Sequence, residues 1–339
     1  MLEKPDLDEQ SLTACLGDAY GVRARTLTFL PLGADMGTAV YRAEAIDGHS
    51  YFVKLRRGAF AEISVTLPKA LSDQGIRQII APIPTRSGRL WAELGEFQVI
   101  LYPFVEGEDG YQKRLSAEQW RELGQAFKRL HAAKLPAELQ SQVAVEAYSP
   151  QWRESLKTAV GKLERANVRD PIARELIAFL GARRDAVLGM VKRTQILAEL
   201  LRAHPRDAVL CHTDLHAGNV LIAADGALYL VDWDAPLLAP KERDLMSIGA
   251  GLMGEWLTPQ EEQALFYAGY GEIQIDPIAL SYYRYERIID DLAVECELIL
   301  GTGAGYEDRA RELRFLKANF APGGTMALAI ATDVTRAAG

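Results

Sequence analysis

The chain has 339 residues, of which 49% are apolar and 25% charged, and its formal net charge is −8. This length suits two lobes or domains, and the composition is that of an ordinary globular protein. The acidic balance argues against a nucleic-acid partner, which would need a basic surface, and permits a cationic small molecule. Charged residues interrupt every apolar run well before ~20 residues, so we expect no membrane span.

The N-terminus and the cysteines predict the compartment. The first ten residues, MLEKPDLDEQ, are acidic and polar, unlike a secretory signal. Three widely spaced cysteines, Cys15, Cys211 and Cys296, are typical of reduced thiols rather than of a disulfide framework or a zinc site. We therefore expect a cytoplasmic protein. The sequence does not fix its oligomeric state and is compatible with a monomer.

The first hundred residues are predicted to form mostly short strands. These segments are rich in β-branched and aromatic residues and are separated by turns that contain Gly, Asp or Ser. They are RTLTFLPL, TAVYRAEAI, SYFVKLR, RLWAEL and FQVILYP. One helix, roughly Phe60 to Gln74, interrupts them and ends at Gly75.

Beyond YPFVEGEDG the pattern becomes mainly helical. Ser116 is a candidate N-cap for a run with helical spacing, and longer helical patterns follow. Those patterns span 171–203, 241–252 and 277–300, with strand-like AVLCH, NVLIA and LYLVD between them. The sequence therefore predicts an α+β fold with a small β-rich lobe (1–102), a hinge (103–110) and a larger, mainly helical lobe (111–339).

The stretch CHTDLHAGNVLI (211–222) and the later VDWD carry the candidate chemistry. The segments NVLI and LYLVD are compatible with a hairpin around the turn ADGA. We expect this hairpin to place Asp214 and Asn219 at one end and Asp232 at the other, with their oxygens converging. Carboxylate and amide oxygens suit Mg²⁺. A carboxylate that binds no metal, here Asp214, can orient a hydroxyl nucleophile and receive its proton. Taken singly, each residue also fits a turn or a strand end.

Alternation within SYFVKLR puts Phe52, Lys54 and Arg56 on one face of a strand. Such a lysine is commonly a solvated surface residue. The loop LGADMGTAVY lies between the first two predicted strands and contains Gly33 and Gly37. These glycines fit either a loop that covers phosphates or a plain hairpin.

The motifs together resemble the protein-kinase-like fold. The shared pattern is His-x-Asp, an Asn five residues after that Asp, and a later Asp that leaves a strand. Thr213 stands where protein kinases have Arg, and Asp232-Trp233-Asp234 where they have Asp-Phe-Gly. These departures are similar to the aminoglycoside phosphotransferase family and its choline-kinase relatives. YSPQWRE, YLVDWDAPLLAPKERDLM and LSYYRYERIIDDLA resemble the spectinomycin branch of that family.

The resemblance implies that ATP and Mg²⁺ bind in the cleft between two lobes. Lys54 would hold the α- and β-phosphates and would be placed by Glu62, or alternatively by Glu44. Asn219 and Asp232 would hold the metal. The remaining implied roles are Asp214 for the acceptor hydroxyl, Gly33 and Gly37 for the phosphate loop, the Pro103 carbonyl and the Val105 N–H for adenine, and Asp244 for support of the catalytic loop. Asp244 also fits a simple helix start.

The implied reaction is transfer of the γ-phosphoryl group of ATP to a hydroxyl of an aminocyclitol or aminoglycoside antibiotic, most closely spectinomycin, which confers resistance. The alternatives are a kinase of a choline-like, sugar or macrolide compound, and a non-catalytic nucleotide-binding regulator. The short interval between Asp232 and Asp244 leaves no room for an extended activation segment, so we expect a constitutively active enzyme.

The expected substrate is cationic, so acidic and aromatic residues should line its pocket. Candidates are Asp290, Asp291, Glu295 and Trp256, with Trp233 either touching a sugar ring or buried in the core. A solvated helix face neutralised by Arg284 and Arg287 fits the same acidic pattern. His212 is expected to brace the loop, and His216 either to brace it or to touch the substrate.

Overall fold

The structure, a computed structural model, describes residues 4–32, 37–163, 170–254, 256–301 and 306–333. The chain forms two compact units. The first, here called the sheet unit, contains Met1–Leu115, Ala133–Val143 and Gly218–Pro236. The second, here called the helical unit, contains Ser116–Ala132, Ala144–Ala217 and Leu237–Gly339.

Strands occur in both units. In chain order those of the described residues are β1 (Ala24–Leu30), β2 (Thr38–Ala45), β3 (Ser50–Arg57), β4 (Ala92–Leu94), β5 (Phe97–Pro103), β6 (Gly107–Asp109), β7 (Ala144–Val145), β8 (Val209–Cys211), β9 (Val220–Ala223), β10 (Leu228–Leu230) and β11 (Leu237–Ala239).

Helices dominate the second unit. In chain order the α-helices of both units, among the described residues, are α1 (Glu9–Cys15), α2 (Ile63–Asp73), α3 (Ala117–His131), α4 (Ala137–Gln140), α5 (Gln151–Leu163), α6 (Pro171–Gly181), α7 (Arg184–Ala203), α8 (Glu242–Leu245), α9 (Pro259–Tyr270), α10 (Pro277–Leu300), α11 (Tyr306–Ala318) and α12 (Thr325–Thr332). None of them combines the length and the apolarity that crossing a membrane requires.

The sheet unit is built on an antiparallel sheet of order β1-β2-β3-β5-β4. Alternation along β3 turns Val53 and Leu55 into the core, where both are fully buried. Lys54 and Arg56 therefore point to the opposite face, as the sequence predicts. A second antiparallel sheet, of order β10-β9-β6, completes this unit. Its strand β6 lies within the predicted hinge, and a Cβ on Gly107 would come 2.5 Å from the carbonyl oxygen of Ile222.

The helical unit has α10 at its centre. Asp276 caps this helix by accepting hydrogen bonds from the N–H groups of Ile278 and Ala279, and Pro277 occupies its first turn. The predicted span 277–300 is therefore confirmed. Ten or more α10 side chains lie in the core of the unit, including Tyr282, Tyr283, Tyr285, Ile289 and Leu292.

Two helical predictions are wrong in detail. The span 171–203 is divided into α6 and α7, which are separated after Gly181. The span 241–252 contains only the short α8, which ends at Leu245, and beyond it Gly249 and Gly251 adopt φ values of 69° and 77° that a helix does not allow.

Two glycines allow α3 and α9 to pack closely. A Cβ on Gly269 would lie 1.9 Å from the carbonyl oxygen of Arg121, and one on Gly124 would lie 2.1 Å from that of Phe266. Real Cβ atoms do not approach backbone atoms so closely, so the two helices could not keep this separation with larger residues.

We expect Gly269→Ala to lower the free energy of unfolding by roughly 2–4 kcal/mol, because the backbones must separate and leave voids. Urea unfolding of the variant measures this. The matched control is Gly189→Ala in α7, where a Cβ meets nothing within 4 Å. There the better helix propensity of alanine should raise the free energy of unfolding by about 0.5–1 kcal/mol. Equal stability of the two variants would contradict the close approach of α3 and α9.

Candidate active site

A buried carboxylate organises the loop that follows β8. Asp244, fully buried at α8, accepts hydrogen bonds from the backbone N–H groups of His212 (2.9 Å) and Thr213 (2.7 Å). It also lies 3.0 Å from His131 Nε2. Although burial opposes ionisation, the hydrogen bond with His131 and those from the backbone hold the pKa of Asp244 below its usual range. The predicted supporting role of Asp244 is confirmed.

The supported loop is strained. Thr213 has a φ of 79°, a left-handed conformation that costs a β-branched residue roughly 1–3 kcal/mol. The two hydrogen bonds to Asp244 come from this residue and its neighbour, so they fix the backbone where it is least favourable. His212 is buried, in agreement with its predicted bracing role. The loop therefore delivers Asp214 in a single defined position.

Asp214 forms an ion pair that the sequence did not predict. Its carboxylate forms a short ion pair with Arg287 Nη1, and His216 Nε2 lies 3.6 Å away. Arg287 also bonds Asp291, four residues along α10. Although burial opposes ionisation, His216 and Arg287 hold the pKa of Asp214 far below its usual range. Asp214 is consequently ionised at neutral pH.

The acids of α10 are half-buried rather than fully solvated. Burial, together with Asp291, raises the pKa of Asp290 to about 6. Burial raises the pKa of Glu295 to about 9, with Asp291 and Glu312 contributing in the same direction. Glu295 Oε2 is buried and has no hydrogen-bond partner among the described residues. Such carboxyls are ionised more readily when a cation approaches.

Two further charged residues of α10 are buried in the helical unit. Glu286 is buried and forms an ion pair with Arg153. Arg284 is buried too, and its guanidinium donates to the carbonyls of Met246 and Ile248. Trp256, by contrast, is 43% exposed, which leaves its ring accessible.

In the sheet unit, Lys54 is bound by two aspartates that follow β10. Its Nζ lies 3.0 Å and 3.1 Å from the two carboxylate oxygens of Asp234 and 3.4 Å from Asp232 Oδ1. The side chain of Glu62 is exposed at the start of α2, and no ion pair joins it to Lys54 in the described part of the chain. Glu44 instead pairs with Arg25 and Arg42 on the surface.

Asn219 and Asp232 lie at the same end of the β9–β10 hairpin. Val220 pairs with Leu230, and the N–H of Val231 donates to the carbonyl of Asn219 (3.1 Å). The prediction that Asn219 and Asp232 stand at opposite ends is therefore wrong, because an antiparallel pair brings the start of one strand beside the end of the other.

The chemistry of these side chains fits a hard divalent cation. Asp232 has a φ of 66°, so its backbone turns sharply out of the strand, and it and the buried Asn219 offer a carboxylate and an amide oxygen. Burial, with the neighbouring Asp234, raises the pKa of Asp232, whereas Lys54 and Arg56 hold the pKa of Asp234 below its usual range despite its burial.

The remaining candidates of the sheet unit are distributed around this sheet. Pro103 ends β5 opposite Tyr51, and half-buried Val105 follows it. Gly37 precedes β2, and its carbonyl accepts from the N–H of Arg57 (2.8 Å), whereas Gly33 lies outside the described residues. Trp233 is buried, and its indole N–H donates to Leu230, so it belongs to the core rather than to a substrate surface.

Comparison with known proteins identifies the family. A model described as the phosphotransferase enzyme family matches residues 28–283. The chain belongs to this family. The crystal structure of the spectinomycin phosphotransferase APH(9)-Ia in complex with ADP and spectinomycin is 36% identical, with a TM-score of 0.89 over 97% of this chain and 99% of that chain. StrN of Streptomyces griseus is 29% identical over 232 residues, which are 64% of this chain and 67% of StrN.

These findings confirm the predicted kinase-like fold, with one lobe of β-sheet and one of helices, and the predicted class of small-molecule phosphotransferase. The fold extends to distant proteins. An aminoglycoside phosphotransferase from Alicyclobacillus acidocaldarius, only 14% identical, matches with a TM-score of 0.64 over 97% of this chain and 96% of that chain.

The raised pKa of Glu295 predicts how the stability of this phosphotransferase depends on pH. Between the ordinary value of 4.5 and about 9, the folded protein keeps a proton that the unfolded chain releases. The contribution of protonated Glu295 to the stability of the folded protein is therefore complete at acid pH and is lost as pH rises through this interval. We expect Glu295→Gln to match the wild type at pH ~5 and to exceed it by about 1 kcal/mol or more at pH ~8.5.

Urea unfolding at the two pH values measures this difference. The control is Glu297→Gln on the same helix, because Glu297 is exposed and accepts a hydrogen bond from Ser155 (2.6 Å). That variant should gain no stability with rising pH. A Glu295→Gln variant whose difference from wild type is the same at both pH values would contradict the burial of this carboxyl group.

Proposed function

We propose that this phosphotransferase uses ATP and Mg²⁺ to phosphorylate a hydroxyl group of a cationic aminocyclitol antibiotic, spectinomycin foremost, and so confers resistance to it. One observation carries the proposal: Asp214, on a strained loop, forms an ion pair with Arg287, which also pairs with Asp291 on α10. The similarity to a phosphotransferase solved with ADP and spectinomycin supports the same acceptor.

The acceptor half of the proposal rests on charge. Asp214 and Asp291 share the guanidinium of Arg287, while Asp290 and Glu295 are half-buried carboxyls with raised pKa values. A protonated amine near them would favour their ionised forms and gain attraction in a partly desolvated site. This chemistry favours a cationic polyol over a neutral sugar. Exposed Trp256 supplies an aromatic surface of the helical unit.

The donor half of the proposal assigns the nucleotide to the sheet unit. Lys54 would bind the α- and β-phosphates, Pro103 and Val105 the adenine, and Gly37 with Gly33 the phosphate loop. Glu62 remains a proposed partner of Lys54 in the nucleotide-bound state. Asn219 and Asp232 would hold Mg²⁺, which supplies neutralisation of the charge on the transferring phosphoryl group.

Asp214 would act chiefly by orientation. A carboxylate whose pKa lies far below the usual range is a weak base but a good hydrogen-bond acceptor. It would accept the hydrogen bond of the substrate hydroxyl and aim its oxygen at the γ-phosphorus. In a loose transition state the alcohol keeps its proton until late, so alignment contributes more than early proton removal.

A panel of acceptors in an ADP-release assay tests the proposal. Spectinomycin should give the highest kcat/KM among spectinomycin, a larger aminoglycoside, choline, a neutral sugar and a macrolide, and without prior phosphorylation of the enzyme. Asp214→Ala should lower the turnover by about 10²–10⁴-fold and change the nucleotide affinity less than twofold.

The control variant is Asp207→Ala, because Asp207 is exposed just before β8 and precedes the strained loop. It should retain full turnover. Higher kcat/KM with choline or a macrolide would reject the proposed acceptor, and undiminished turnover of Asp214→Ala would reject the role of Asp214.

A further inference from the structure

Strand β3 presents two cations on one face. Lys54 and Arg56 are two residues apart, and their side chains are 16% and 19% exposed. The next residue, Arg57, points to the other face, is 54% exposed and pairs with Glu96 at 3.5 Å. Arg56 is therefore sheltered on the side of Lys54, whereas Arg57 is a surface residue.

One carboxylate binds both sheltered cations. Asp234 accepts from Lys54 Nζ through both oxygens, at 3.0 Å and 3.1 Å, and forms a short ion pair with Arg56 Nη1. Asp232 approaches Lys54 at 3.4 Å. Each of these cations therefore has a carboxylate beside it, as charges removed from water require.

The register of the sheet shows where the two cations lie along β3 relative to the proposed adenine and phosphate ends of the nucleotide site. Tyr51 on β3 pairs with Pro103, the proposed adenine end, whereas Arg56 pairs with Thr38, next to Gly37 of the proposed phosphate loop. Lys54 lies between them. Two residues of an antiparallel strand advance about 7 Å, so Arg56 lies beyond Lys54 in the direction of the terminal phosphates.

We propose that Arg56 is a second phosphate-binding cation, directed at the β- and γ-phosphates, and that Asp234 is an internal stand-in for those phosphates which releases both cations when the nucleotide binds. The inference rests on the proposed nucleotide site of the sheet unit and does not depend on the acceptor. A planar guanidinium suits bidentate recognition of phosphate oxygens.

The stand-in explains why a second acid follows Asp232. If Mg²⁺ occupies Asp232, that carboxylate no longer neutralises Lys54. A triphosphate brings more negative charge than Asp234 and replaces it, so the cations are never left unpaired. Without Asp234, two half-buried cations would repel each other in the nucleotide-free protein.

Calorimetric titration with ATP, ADP and AMP, each with and without Mg²⁺, tests the inference. Arg56→Met should weaken the binding of ATP by about tenfold or more, that of ADP by less, and that of AMP by less than twofold. The control Arg57→Met should change the affinities for ATP, ADP and AMP less than twofold. Asp234→Asn should tighten ATP binding, because it removes the competitor, and should lower the thermal stability of the nucleotide-free protein.

Three results would overturn the inference. The first is equal ATP affinity of Arg56→Met and wild type. The second is an equal loss for ATP, ADP and AMP, which would give Arg56 a structural role. The third is an Asp234→Asn variant that binds ATP more weakly only when Mg²⁺ is present, which would make Asp234 a metal ligand.

If Arg56→Met does not fold, Arg56→Lys serves in its place. This variant keeps the charge and loses the bidentate geometry, so it should weaken the binding of ATP more than that of AMP. Because every arm measures binding, an enzyme that proved inactive on all acceptors would still decide the role of Arg56.

Discussion

The site of the helical unit depends on one buried charge. Asp244 has no contact with solvent, and its oxygens are occupied by two backbone N–H groups and a histidine. A charge in that position is stable only while these donors are present. The two N–H donors belong to the loop that holds Thr213 in a left-handed conformation. The ionised Asp244 and the strained loop therefore require each other.

Charged candidate residues of both units form ion pairs within the protein. Asp214 pairs with Arg287, and Lys54 pairs with Asp232 and Asp234. Under the proposed function, a cationic acceptor would meet carboxylates that Arg287 already neutralises, and an anionic nucleotide would compete with Asp234. Binding of the nucleotide would then exchange one ion pair for another, which would lower its desolvation cost.

Local patterns predicted much of this structure. Alternation placed Lys54 on a polar face of β3, Ser116 marked the start of α3, and helical spacing gave the span of α10. The kinase-like fold came from the resemblance of the polar motifs to a known family. These signals operate over a few residues, where periodicity and capping determine the backbone. The family resemblance supplied the role of Asp244, which no local pattern shows.

Tertiary pairing of charges is one feature that the sequence could not show. Lys54 contacts Asp232 and Asp234, about 180 residues later in the chain, and no local pattern predicts these contacts. Arg287 was predictable as an i, i+4 partner of Asp291, but its contact with Asp214 requires the folded unit. His131, on α3, gave no signal beyond a helical position.

The central claim is that Asp244 fixes the strained backbone that carries Asp214, and hydrogen exchange of Asp244→Asn measures it directly. An asparagine keeps the shape of the side chain but loses the charge and one acceptor. We expect exchange of the His212 and Thr213 amides to accelerate in the variant while that of α7 is unchanged. Equal protection of these two amides in the variant and the wild type would contradict the account.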